Sequence, residues 1–156
     1  MILDKFSLKG KVAIVTGCNT GLGQGMAVGL AQAGADIAGV YRSDTGETQK
    51  MIEDLGRTFL PIKADLSSTE PINRIIEETL VKFGKIDILV NNAGIIRRNE
   101  TIDFSEKDWD DVMNVNSKTL FFLSQAVAKQ FIKQGTGGKI INIASMLSYQ
   151  GGIRVP

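Results

Sequence analysis

A chain of 156 residues, 43% apolar and 22% charged with 17 glycines, has the size for one core and the composition of an ordinary α/β domain. Eighteen basic and 17 acidic residues, with no basic tract, give no basis for a nucleic-acid or membrane partner. One cysteine and no histidine exclude an internal disulfide, imidazole chemistry and a cysteine–histidine metal site; with no signal-like apolar core, this predicts a metal-free cytoplasmic protein.

Residues 1–10 read as a lead-in, with Phe6 and Leu8 packing on the sheet edge. The apolar run in 11–16 predicts a first buried strand, and a helix follows over 21–33, ended by Gly34. DIAGVY (36–41) is a second strand; a turn at 43–46 and a polar helix to Gly56 follow. TFLPIK (58–63) is a third strand, whose Pro61 suggests an edge or irregular position. Ile72, Ile75, Ile76, Leu80 and Phe83 mark one face of a helix closed by Gly84. IDILV (86–90) is strand four, and 91–102 is a long loop. Ser105 and Asp108 form an approximate capping pair for a helix burying Trp109, Val112, Met113, Leu120, Leu123, Val127 and Phe131. KIINIA (139–144) is strand five.

Strands that alternate with helices make a parallel sheet covered on both faces, so the expected architecture is a three-layer α/β/α doubly wound sheet in one domain over 1–156. Ligands of such sheets bind beyond the carboxyl ends of the strands. The stretch KVAIVTGCNTGLG sits at one of those ends. Its Gly17, Gly21 and Gly23, with Asn19, Thr20 and Leu22, form a strand–turn–helix unit suited to a pyrophosphate. Cys18 in that turn is either a reactive thiol or simply a small residue in a tight loop.

Asp65 is read either as an acceptor for an adenine amino group or as a helix cap. Asn91, Asn92, Ala93 and Gly94 close strand four, where asparagines hold turn backbone and Ala-Gly leaves room for a flat ligand. Asn116 interrupts an apolar helical face, so a buried amide capping a kink or holding a water is expected. Ser145 lies just past strand five, at a substrate-facing position, with Ser148 and Tyr149 close behind.

Together, Thr16-Gly17…Gly21-Leu22-Gly23, Asp65, Asn91-Asn92-Ala93-Gly94, Asn116 in NVNS and Ser145 in INIAS resemble the short-chain dehydrogenase/reductase family along essentially the whole chain. The resemblance implies a Rossmann-like fold, a nicotinamide cofactor, and hydride transfer between an alcohol and a ketone. It implies Ser145 as the hydrogen-bond donor to the substrate oxygen and Asn116 as support for a proton-relay water. Gly17, Asn19, Thr20, Gly21, Leu22, Gly23, Tyr41, Arg42, Asp65, Leu66, Asn92, Ala93 and Gly94 become the expected cofactor contacts. Tyr41 stands where an acid would favour NAD, and Arg42 follows, which suits the extra phosphate of NADP. The family resemblance puts NAD(H) first and NADP(H) as the alternative.

The family's acid/base tyrosine in YxxxK falls about a dozen residues beyond the serine, and this sequence stops at Pro156; Tyr149 has Ile153 four residues on. The expectation is therefore an N-terminal portion lacking the C-terminal part of the fold and inactive alone. A companion chain carrying the other half would complete it, and a non-catalytic dinucleotide-binding fragment is the alternative. GIIRRNETIDFSEKDWDDVMNVN and GGKIINIASMLSYQGGIRVP are similar to the sugar-acid dehydrogenases of the family, with gluconate dehydrogenases and 3-oxoacyl carrier-protein reductases as competing branches. That similarity implies a deoxy-sugar acid substrate, and a homo-oligomer, usually a tetramer, for the complete protein. Arg97, Arg98 and Arg154 either pair with the substrate carboxylate or are solvated loop arginines; Met146 and Tyr149 are the other expected substrate contacts.

Overall fold

The computed structural model describes residues 2–156. Its five parallel strands are β1 (Val12–Thr16), β2 (Asp36–Tyr41), β3 (Phe59–Lys63), β4 (Ile88–Asn91) and β5 (Lys139–Asn142), in the order β3-β2-β1-β4-β5. The helices are α1 (Gly21–Gln32), α2 (Thr48–Asp54), α3 (Ile72–Phe83), α4 (Glu106–Met113), α5 (Leu120–Gln134) and the short α6 (Leu147–Gln150). Strand order reverses between β1 and β4, and a cleft opens beyond their carboxyl ends at that switch point.

Because side chains alternate across a strand, β1 feeds both faces of the sheet. Ala13 and Val15 pack with Ala27, Ala31, Ile37 and Ile52 on the α1–α2 side. Ile14 packs with Ile75, Leu89, Leu123, Val127 and Phe131 on the α3–α5 side. The expected three layers are present. Pro61 lies in regular register with Gly39 on the edge strand β3, where a missing N–H is tolerated. Gly84 ends α3 in the left-handed region at φ 76°.

Beneath the sheet, Asp87 ties β1 to β4. Its carboxylate accepts from Val12 N–H at 2.9 Å and pairs with Lys11 at 3.2 Å and Lys85 at 3.1 Å, while only 7% of the residue is exposed. Burial pushes its carboxyl up, but the Val12 N–H and the two ammonium groups outweigh burial and leave it below the usual carboxylate value.

Several expectations are corrected. Phe6 is exposed, and of the lead-in pair only Leu8 joins the core cluster. Strands four and five are shorter than expected, covering Ile88–Asn91 and Lys139–Asn142. The helix from Glu106 is split by a π-helical turn, Asn114–Thr119. The wider turn shifts the phase of the buried stripe, so Thr119, 1% exposed, continues the line of Leu123, Val127 and Phe131. Trp109 and Met113 fall outside that line, at 51% and 42% exposure, rather than in the core. No helix among the described residues is long and apolar enough to cross a membrane.

Candidate active site

The site grows from the end of β1. Gly17 turns the chain at φ 65°, and its N–H donates to Val40 O at 2.8 Å, which keeps the turn against β2. Thr20 then precedes α1 in an extended conformation and makes no side-chain cap, so the first N–H groups of α1 have no capping side chain. A Cβ on Gly23 would lie 1.9 Å from Gly17 O and 2.4 Å from Asn92 Nδ2, so only glycine lets α1 start this close to the turn. Uncapped N–H groups at a positive helix end, packed beside bare backbone, fit the pyrophosphate of a dinucleotide.

The end of β4 locks onto that turn. Thr16 Oγ1 accepts from Asn92 N–H and Ala93 N–H, both at 3.0 Å, and donates to Val90 O at 3.3 Å. Asn92 Nδ2 donates to Thr16 O at 3.0 Å and to Gly17 O at 3.2 Å. Asn91 works behind it, donating to Ser124 and Asn142 and joining β4, α5 and β5.

A cleft of about 490 Å³ results. Gly17, Asn19, Thr20, Gly21, Leu22, Gly23, Tyr41, Arg42, Asp65, Leu66, Asn92, Ala93 and Gly94 line it together. Val40, Ala64, Ile95 and Val115 line it as well and went unnoticed in the sequence, because apolar side chains carry no chemical signal. Asp65 does not cap α3, which begins at Ile72; its Oδ1 accepts from Ser67 N–H at 2.9 Å in a turn of its own. Cys18 is fully buried under β2, next to Gly39 and Phe59, and burial pushes its thiol up to about 12. The reactive-thiol reading is thereby removed.

A second cavity, about 360 Å³, meets the first at Ile95. Ser145, Asn116 and Arg97 line it with Phe104, Trp109, Val112, Met113 and Leu147. Ser145 Oγ accepts from Leu147 N–H at 3.2 Å, which leaves its own proton free to donate. Asn116 is exposed rather than buried, because the π turn carries it outward. Its amide nevertheless has partners: Oδ1 accepts from Ile95 N–H at 2.9 Å and Nδ2 donates to Ile95 O at 2.8 Å. Gly94 suits this arrangement, since a Cβ there would meet Asn116 Oδ1 at 3.3 Å.

Not every expected substrate contact reaches that cavity. Arg97 lines it and pairs with Asp108 at 3.3 Å and Asp111 at 3.4 Å. Hydrogen bonding from Lys107, reinforced by the charges of Lys107 and Arg97, holds the Asp111 carboxyl below its usual range. Arg98 instead donates to Ile153 O at 3.3 Å, and Arg154 pairs with Glu100 at 2.6 Å; neither lines either of the two cavities. Met146 and Tyr149 are 73% and 95% exposed and line neither cavity: Met146 directly precedes the one-turn α6, and Tyr149 lies on it with its side chain in solvent.

The profile of the short chain dehydrogenase family matches residues 11–156. The chain belongs to that family. It is 64% identical, over all of its length, to the 2-dehydro-3-deoxy-D-gluconate 5-dehydrogenases of Dickeya dadantii (strain 3937) and Escherichia coli (strain K12). It spans 62% of the length of each of those two relatives. Among solved structures it is similar to a candidate 2-deoxy-D-gluconate 3-dehydrogenase from Agrobacterium tumefaciens with bound NADP. That match has 49% identity and a TM-score of 0.83, over 97% of this chain and 59% of that one. A short-chain type dehydrogenase/reductase from Mycobacterium marinum has a TM-score of 0.91 at 32% identity, over 96% of this chain and 61% of that one.

Proposed function

We propose that this chain is the cofactor-binding portion of an oxidoreductase acting on a secondary alcohol or ketone of a deoxy-sugar acid. The observation that carries the reading is the junction of two cavities at Ile95, one built for a dinucleotide and the other presenting Ser145. When bound, a nicotinamide dinucleotide supplies the hydride or accepts it. The turn from Gly17 to Gly23 holds the pyrophosphate, Asp65 and Leu66 flank the adenine, and Asn92, Ala93 and Gly94 seat the ribose and nicotinamide. Ser145 Oγ–H donates to the substrate oxygen, and its bond from Leu147 N–H fixes the hydroxyl for that role. Asn116 holds the loop at Ile95 with one amide hydrogen, and its second can donate to a relay water.

The names of the relatives support a 2-dehydro-3-deoxy-D-gluconate type of substrate, and the presence of Arg97 in the second cavity's lining supports it as the partner of the substrate carboxylate. For the cofactor, Arg42 lines the cleft beside Tyr41, with no acid at the end of β2, which supports NADP(H) alongside NAD(H). Self-association of the complete protein is supported by Phe121, Phe122 and Ile132, exposed on α5. A reducing, cytoplasmic setting is supported by the single free Cys18.

The test is a titration with NAD(H) and NADP(H), followed by nicotinamide absorbance assays with 2-dehydro-3-deoxy-D-gluconate, D-gluconate and a 3-oxoacyl thioester, each with and without the remaining segment of the relatives' length. Dinucleotide binding, with fastest turnover on the deoxy-sugar acid once that segment is present, is expected. Binding without turnover in any combination would assign a non-catalytic binding module, and absence of binding would end the reading.

A further inference from the structure

Thr48 is a polar residue buried to 0% exposure at the first position of α2, outside the lining of either cavity described above. Its hydroxyl donates to the Cys18 carbonyl at 3.0 Å and accepts from Gln24 Nε2 at 2.9 Å. The glycine-rich turn, α1 and α2 therefore meet at one hydroxyl. Two residues earlier, Gly46 at φ +56° lies close enough to the turn that a Cβ there would stand 3.2 Å from Asn19 O. Thr48 N–H also donates to Thr45 O at 3.3 Å, folding the loop back on itself. The loop of residues 42–47 is thus held at one end by β2 and at the other by the Thr48 bond to Cys18, beside the Asn19 carbonyl. Arg42 opens that loop, lines the cleft and makes no ion pair among the described residues.

We propose that Thr48 is a positioning residue that fixes Arg42 relative to the glycine-rich turn, so that a ribose 2′-phosphate and the pyrophosphate of one ligand are read together. This rests on the dinucleotide reading of the cleft. A ligand that engages only the turn tolerates a loosened loop, whereas one that also engages Arg42 must reorder it and loses affinity. Selectivity between 2′-phosphorylated and plain adenine nucleotides therefore depends on a residue that touches neither.

The test is calorimetric binding of NADP, NAD, 2′,5′-ADP and 5′-ADP to the chain and its variants, with folding checked by circular dichroism. Thr48→Val is expected to weaken NADP and 2′,5′-ADP about fivefold more than NAD and 5′-ADP, the scale of one lost hydrogen bond. Thr48→Ser is expected to restore the ratio, and in an Arg42→Ala background Thr48→Val is expected to leave it unchanged. Should Thr48→Val not fold, Gln24→Ala keeps the hydroxyl but removes the group that orients it, and is expected to shift the ratio in the same direction. Equal weakening of all four ligands, no weakening, or a selective loss that persists without Arg42 overturns the inference while leaving the dinucleotide reading intact. Failure of the unsubstituted chain to bind any of them overturns both.

Discussion

The same substitution at three glycines of α1 should give opposite results. At Gly23 an added methyl would meet the Gly17 carbonyl oxygen at 1.9 Å and its carbon at 2.8 Å, both backbone atoms that no rotamer change can move. The contact must open from 1.9 Å to at least 3.0 Å, which pushes the start of α1 off the turn. Overpacking of this kind costs about 1–3 kcal/mol. For a chain of this size that lowers the melting temperature by roughly 2–4 °C per kcal/mol. The displaced N–H groups are the proposed pyrophosphate site, so dinucleotide affinity should fall by at least about tenfold, the scale of one lost hydrogen bond to a charged group. At Gly25 and Gly29, an added Cβ meets nothing within 4 Å and neither residue has a positive φ. There alanine gains helix propensity of about 0.8–1.0 kcal/mol per site. Thermal unfolding and dinucleotide calorimetry on Gly23→Ala, Gly25→Ala and Gly29→Ala separate the cases. A Gly23→Ala protein with unchanged melting and affinity, or a Gly25→Ala protein as damaged as it, would refute the packing argument.

Asp87→Asn should lower stability by about 1.5–3 kcal/mol at neutral pH, measured by urea unfolding, because it removes the charge from a buried acceptor of Val12 N–H and two ammonium groups. Since folding depresses this carboxyl, its contribution is full above the unfolded value near 3.9 and is lost as pH falls through the lower folded value, so the wild-type acid limb should be steeper than the variant's. Cys18, with its thiol raised to about 12, should resist disulfide reagents at pH 8 in the folded chain and react at once in denaturant; rapid labelling of the native chain would contradict its burial. Asn116→Ala removes both bonds to Ile95 and should speed hydrogen exchange at Ile95 N–H while weakening dinucleotide binding; unchanged exchange there would show that the loop holds itself.

The sheet was legible because buried parallel strands are short, β-branched runs with helix-period segments between them, and nothing in β1 or β4 contradicts that pattern. The cleft itself was legible for a related reason. Doubly wound topology sends every strand's carboxyl end to one edge, so placing Gly17, Tyr41, Asp65 and Asn92 at or just past the ends of their strands also places them together. The π turn at Asn114–Thr119 left one mark in the residue pattern, the polar Asn116 within an apolar run, which announced a kink but not the change of phase. A single extra residue in a helix changes phase without changing composition, and that is why Trp109 and Met113 were assigned to the core and Asn116 to a buried position. The lining of the second cavity was read less well, since loop arginines and the residues around α6 obey no period. Arg97, Arg98 and Arg154 are alike in the sequence and take three different partners in the fold. Asp87 and Thr48 were passed over because a lone acid or hydroxyl acquires meaning only when a distant backbone N–H or carbonyl arrives beside it.

The most direct measurement is amide chemical-shift mapping of the chain on addition of NADP. The account predicts perturbations at residues 17–23, at Arg42, at Asp65 and Leu66, and at 92–94, with weaker effects at Ile95. Absence of perturbation, or perturbation confined to the groove between α3 and α5 around Asn73, Gln125 and Lys129, would contradict the assignment of the cleft.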